Sequence, residues 1–136
     1  MDTPVTTRWR GEIDWADVDG MGHVNNLAVL RYIQSARIEI CVSLGVMPVR
    51  VAPEVGPIVA HIEIQYLAPL FYPGAVTVTS RLVGAGHTSF TVEHTVTDQG
   101  GRVVAREREV LVNYDYRAGH KLPLPEDFPR CGARAE

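Results

Sequence analysis

The stretch Asp17-Val18-Asp19-Gly20-Met21-Gly22-His23-Val24-Asn25-Asn26, with the run 27–44 directly behind it, decides the fold. Two glycines and an Asn pair call for a tight, irregular loop. Behind them Leu30, Ile33, Arg37, Ile40 and Leu44 recur every three or four residues, flanked by Val29, Ala36 and Ser43, with no Pro or Gly between. That period predicts a helix over 27–44, about 27 Å long at ~1.5 Å per residue. Asn25 or Asn26 suits its N-cap and Gly45 its stop. Its mostly apolar circumference predicts a largely buried helix. Ionisable groups thus collect where a loop enters a helix N-terminus, a place that favours negative charge and polarised carbonyls.

Working outward, Trp9, Ile13 and Trp15 predict a short first strand over 7–15. Pro48, Pro53, Gly56 and Pro57 punctuate a connector over 46–57, and then the period changes to two. Ile58, Ala60, Ile62, Ile64 and Tyr66 are expected on one face of a strand, and Val59, His61, Glu63, Gln65 and Leu67 on the other. A third strand follows Pro73-Gly74, a turn is expected at 84–86, and Phe90, Val92, His94 and Val96 alternate along a fourth. Asp98-Gln99-Gly100-Gly101 makes a hairpin turn into a last strand over 103–114. One long helix and about four to five antiparallel strands make an α+β domain with segregated elements.

The 136 residues fit one domain, 1–136, with its core over about 8–125 and a loosely packed tail over 115–136. A net charge of −3 offers no electrostatic footprint for nucleic acid. Arg102, Arg106 and Arg108 alternate with Glu107 and Glu109, which reads as the solvated face of a strand. No signal peptide is visible at Met1-Asp2-Thr3-Pro4, and no apolar run approaches the ~18 residues of a membrane span. Cys41 and Cys131 are far apart and form neither a disulfide framework nor a zinc motif. A cytoplasmic protein with no membrane partner is expected.

In the loop, Asp17 and Asp19 need not share a role: one can pin the turn while the other faces a pocket as nucleophile or as general base toward water. His23 suits a proton shuttle, a hydrogen-bond donor or a packing residue. Asn25 and Asn26 suit a cap, or the orientation of a water or carbonyl. The spacing of Asp17, Asp19 and His23 fits neither a zinc pattern nor a calcium loop, and no phosphate or dinucleotide loop is present. No metal and no cofactor are expected. Ser35 and Ser43 lack a nucleophile-elbow context. His61, His87, His94 and His120 are scattered, and His61 with Glu63 reads as a solvated face. Cys41 and Tyr66 are expected in the core.

These residues, in this order, resemble the hotdog-fold acyl-CoA thioesterases of the 4-hydroxybenzoyl-CoA thioesterase type. The resemblance rests on Asp17 to Asn26 with Ala36-Arg37 on the helix, on Ile64-Gln65-Tyr66-Leu67-Ala68-Pro69, on Gly86-His87-Thr88-Ser89-Phe90, and on the strand 103–112. It spans about Arg8 to Pro125. It implies a long central helix wrapped by a curved antiparallel sheet of about five strands. It also implies homodimers or homotetramers with active sites at the subunit interface. Asp19 matches the family's catalytic carboxylate, and His23 and Asn26 match positions that assist it in different branches. Asp17, Gly22, Asn25, Gly56, Ile58, Val59 and Ser89 are implied as substrate-binding, with a backbone N–H near Gly56 polarising the thioester carbonyl. Arg81 and Arg106 are candidates for the CoA phosphates. Several relatives carry Glu at Gln34 and Tyr at Val29, so this pocket is expected to be larger or drier.

The function implied is hydrolysis of acyl-CoA to a carboxylic acid and CoA. The alternatives are an acyl-carrier-protein thioesterase of a fatty acid or polyketide pathway, and a non-catalytic acyl-CoA binding module. A dehydratase needs a His and an acid on the helix, where this chain has Gln34 and no His.

Overall fold

The computed structural model describes residues 5–47 and 54–130. The elements run β1 (Thr6–Glu12), a 3-10 turn (Trp15–Asp17), α1 (Asn26–Ser43), β2 (Val55–Tyr66), β3 (Ala75–Ala85), β4 (Ser89–Asp98), β5 (Val103–Asp115) and β6 (His120–Lys121). The strands form one antiparallel sheet in the order β1-β3-β4-β5-β2, with β6 pairing β5 beyond the start of β4. Pro48, Pro53 and Cys131 lie outside the described residues.

Helix α1 forms where the period placed it. The Asn25 side chain caps it by accepting the Ala28 N–H at 2.8 Å. Gly45, at φ +79°, ends it in the left-handed conformation that a side chain resists. Its buried stripe is Ala28, Val29, Tyr32, Ile33, Ala36, Ile40 and Cys41. The helix lies against β1, β3 and β4. One side stays open, with Leu27, Arg31, Gln34, Ile38 and Glu39 exposed. The expectation of a largely buried helix holds for one face alone.

The first strand ends at Glu12, short of the expected Trp15. The Asp14 carboxylate accepts the Ala16 N–H at 2.8 Å and turns the chain into the 3-10 segment, leaving Trp15 68% exposed.

The faces of β2 are also corrected. Ile58 pairs with Val112, Val59 with Leu111 and His61 with Val110, so Ala60 is an extra, bulged residue. Partners directly opposite share a face. Val59, Ile62, Ile64 and Tyr66 do not therefore keep one alternation with Ile58: the bulge shifts the phase along the strand. A strict alternation would have put Ile58 with Ile62. The register shifts again at Val83 of β3 and at Val104 of β5, and such irregularities bend a sheet, here around α1.

The core has two apolar clusters. Ile13, Val24, Val29, Ile33, Leu70 and Val104 belong to the first; Ile40, Leu82, Phe90, Leu111, Leu124 and Phe128 belong to the second. Several elements carry a polar residue at the level between them: Arg37 on α1, Ser80 on β3, His94 on β4, Glu107 and Glu109 on β5. Glu107 and Glu109 are thus 2% and 0% exposed, not solvated. They share the phase of Ala105 and Leu111 and point inward, while Arg106 and Arg108 point out. The tail is corrected too. Asn113 Nδ2 donates to the Pro123 carbonyl at 3.0 Å and the Leu124 N–H to that of His87 at 2.8 Å, so Leu124 and Phe128 close the second cluster.

Candidate active site

The loop between the 3-10 turn and α1 divides its two aspartates. Asp17 is buried, its Oδ2 accepting from Arg31 Nη2 at 2.5 Å and from the Tyr32 hydroxyl at 3.1 Å. Burial, and then the hydrogen bond to Asp17, push the Tyr32 phenol up to about 12. The Asp17 carbonyl accepts the Asn25 N–H at 2.8 Å and Asn25 Nδ2 at 2.9 Å. With its Oδ1 on the Ala28 N–H, Asn25 is fully used in fixing the loop to the helix. Asp17 and Asn25 build the loop and do not line the pocket beside it.

Asp19 starts a tight reversal. Its N–H donates to the His23 carbonyl at 2.8 Å, and its carbonyl accepts the Gly22 N–H at 3.1 Å. Gly22, at φ +88°, supplies the left-handed conformation this turn needs. The Asp19 carboxylate accepts the Met21 N–H at 2.8 Å through Oδ1 and turns Oδ2 toward His23 Nδ1, 3.7 Å away. Both side chains are about one-third exposed, at 33% and 39%.

Asp19, His23 and Asn26 face one cavity of about 600 Å³. Its floor is the buried set Val24, Val29, Leu70 and Val104; Met21 and Phe71 stand exposed at its rim. Tyr66 closes one side. It is 45% exposed, not in the core, and its hydroxyl donates to the Asn26 carbonyl at 3.1 Å. Sequence reading missed Tyr66 and the 67–71 wall as pocket residues. A period-two pattern that stops at Leu67-Ala68-Pro69 shows where a strand ends, not which loop it meets.

Gly56, Ile58, Val59 and Ser89 are not brought to this cavity. Gly56 pairs with Tyr114 and Ser89 with Val112, whereas Tyr66 pairs with Ala105 at the other end of β2. Gly56 and Tyr66 are ten residues apart along the strand, roughly 30 Å. Arg81 and Arg106 lie on the convex face, Arg81 Nη2 donating to Glu93 at 2.8 Å.

The polar level of the core is a buried concentration of charge. Arg37 grips Glu109 through Nε at 2.7 Å and Nη2 at 2.8 Å. His94 Nδ1 is 2.7 Å from Ser80 Oγ, and its Nε2 is 3.2 Å from Glu109 Oε2. Burial, and then the neighbouring Glu109, push the Glu107 carboxyl up to about 10. Burial acts the same way on Glu109, but His94 and Arg37 outweigh it and hold its carboxyl well below the usual range. Burial, and then the charge of Glu109, push the nearby Cys41 thiol up to about 12. His94, Glu107 and Glu109 offer ligand atoms within 4.8 Å of one another. The guanidinium of Arg37 already neutralises Glu109 there, so a divalent cation would add uncompensated charge to a buried site.

The family model of the thioesterase-like superfamily matches residues 13–130. Among solved structures, a thioesterase from Thermus thermophilus, complexed with coenzyme A and Zn, is 33% identical with TM-score 0.73, over 89% of this chain and 87% of that one. A predicted thioesterase from Bacillus stearothermophilus is 25% identical with TM-score 0.79, over 90% of each chain. DHNA-CoA thioesterase from Staphylococcus aureus shares the fold at 15% identity and TM-score 0.76, over 90% of this chain and 83% of that one. No curated protein matches.

Proposed function

The chain belongs to the thioesterase-like superfamily and is a thioester hydrolase of the hotdog fold, and on that premise we propose that it hydrolyses acyl-CoA with Asp19 as the reacting carboxylate. One observation carries this reading: among the described residues, Asp19 is the sole carboxylate lining the apolar cavity. The thioester carbonyl enters beside Asp19, which attacks it or takes a proton from the attacking water. Thiolate is a good leaving group, so one carboxylate and a set of N–H donors suffice. His23 and Asn26, on the same cavity, position the water and the carbonyl. The relative solved with coenzyme A favours CoA over a carrier protein as the thiol.

The site is completed by a second copy in this proposal. β2 is the last strand of the sheet order and leaves one edge unpaired within the described residues. Val55, Ile58, Ile62 and Tyr66 on it are all exposed, at 38–45%. A long apolar edge of this kind is a template for pairing. Antiparallel pairing of two β2 strands sets the Gly56 end of one copy beside the Tyr66 end of the other. That supplies Gly56, Ile58 and Val59 to the cavity that the single chain lacks them in.

Thiol release from acyl-CoAs tests the first part. Asp19→Asn is expected to lower kcat about 10³-fold with the fold intact; a loss under tenfold would remove Asp19 from the chemistry. The second part is tested with Ile62→Glu, measured by light scattering and thiol release together. A monomer that has lost activity supports the shared site, and an active monomer refutes it.

A further inference from the structure

The start of β2 is held by the turn that follows β5. The Tyr116 N–H donates to the Glu54 carbonyl at 2.8 Å, and the Tyr116 hydroxyl donates to the Pro57 carbonyl at 2.6 Å. The Tyr116 ring stands edge-on to that of Tyr114, with 5.3 Å between centroids. Asp115 builds the turn that delivers it: its Oδ1 accepts the Arg117 N–H at 3.0 Å and the Ala118 N–H at 2.9 Å. Burial, and then Tyr114, raise the Tyr116 phenol above its ordinary value, so the hydroxyl keeps its proton at neutral pH.

The ladder fixes which way Pro57 faces. Its partner on β5 is Asn113. The Asn113 N–H donates to the Thr88 carbonyl and its carbonyl accepts the Leu122 N–H, both on the side away from β2. Pro57 and Asn113 are therefore a non-bonded pair, and the Pro57 carbonyl points to the unpaired edge of β2. Pro57 has no N–H to offer a further strand, and the Tyr116 hydroxyl stands at its carbonyl. A ladder between two β2 edges runs along the strand after Pro57 and breaks at Pro57.

Resting on the shared site proposed above, we propose that Tyr116 of one copy is a positioning residue for the active site of the other. By holding Pro57 out of the ladder between copies, it keeps the Gly56 end of β2 as a fixed wall of the neighbouring cavity. Without the hydroxyl, the Pro57 carbonyl is an open acceptor on that edge, and the segment is drawn toward pairing. A displacement of about 1 Å beside a reacting centre costs up to ~100-fold in rate.

The experiment is Tyr116→Phe, which removes the hydroxyl and keeps the ring against Tyr114. Tyr116 is 48% exposed, so the variant retains the fold. Thiol release from acyl-CoAs is expected to show kcat at least ~10-fold lower, KM within about threefold of native, and an unchanged mass by light scattering. Tyr116→Phe is then mixed in equal amount with Asp19→Asn, and subunits are exchanged in mild denaturant. One site of each hybrid joins the intact Asp19 of one copy to the intact Tyr116 of the other. About a quarter of all sites become native, and activity should rise at least about fivefold over the same mixture before exchange. A smaller loss of kcat in Tyr116→Phe overturns the proposal, because the hydroxyl is then idle. A loss that exchange leaves uncorrected also overturns it, because the hydroxyl then serves its own copy or the fold at large. Asp19→Asn that stays active sinks the carboxylate assignment alone, and His23→Ala takes its place in the mixture. With both active, the cavity is not the site and the proposal falls with it.

Discussion

Asp19 with His23, and Glu109 with His94, are chemically the same pair, 3.7 Å and 3.2 Å apart. Their surroundings give them opposite work. Glu109 is fully buried between two apolar clusters, and Arg37 occupies both of its oxygens. Asp19 is one-third exposed, and one oxygen serves its own turn while the other faces the cavity. A carboxylate whose oxygens are all engaged holds a structure together; one left open at a cavity wall is available to a substrate. Glu107 shows the limit of the buried arrangement. With one guanidinium for two carboxyls, Arg37 holds Glu109 toward its ionised form, while burial and the neighbouring Glu109 push Glu107 the other way.

That contrast is best tested through stability. Arg37→Met leaves Glu109 buried without its cation and is expected to cost about 3–5 kcal/mol by denaturant unfolding. A loss below ~1 kcal/mol would mean that the polar level does not bind the two clusters. Glu107→Gln is expected to act smaller and with pH. The Glu107 carboxyl is raised from 4.5 to about 10 in the fold. Between those values the unfolded chain gives up a proton that the fold retains, so the native protein loses stability as pH rises. The variant lacks that loss: the two should agree near pH ~4.5, and the variant should be ahead by at least about 1 kcal/mol at pH ~8. Thermal melts at the two pH values decide it, and parallel curves would show that the carboxyl is already ionised in the fold. Smallest in stability, though largest in activity, is Asp19→Asn. Asn retains the acceptor for the Met21 N–H, so the change should stay within about 0.5 kcal/mol; a larger loss would give Asp19 a structural task like that of Glu109.

Much of this was legible in the sequence for a local reason. Asp19, His23 and Asn26 reach one cavity because a single short loop carries all three, and α1 shows its period over many turns. What lay hidden depends on phase and on distant partners. Glu107 and Glu109 alternate with arginines as a solvated face does, yet they keep step with Ala105 and Leu111, and that phase was the available signal. The bulge at Ala60 leaves no mark on an alternating pattern, so Ile58 was placed on the wrong face. Tyr66 and Phe71 join the site only because the chain after β2 folds back over the start of α1. Leu124 and Phe128 sit among Pro and charged residues that read as tail.

The sheet order also sets a timetable for synthesis. β2 is made early, but its one partner among the described strands is β5, which comes after β3 and β4. At ~5–20 residues per second, a ribosome takes about 2–10 s to go from Tyr66 to the end of β5. Until then this twelve-residue strand, rich in Ile and Val, has no mate within its own sheet. A pause in translation downstream of β2 would lengthen that interval, and slow codons there would raise the share of nascent chains lost to aggregation.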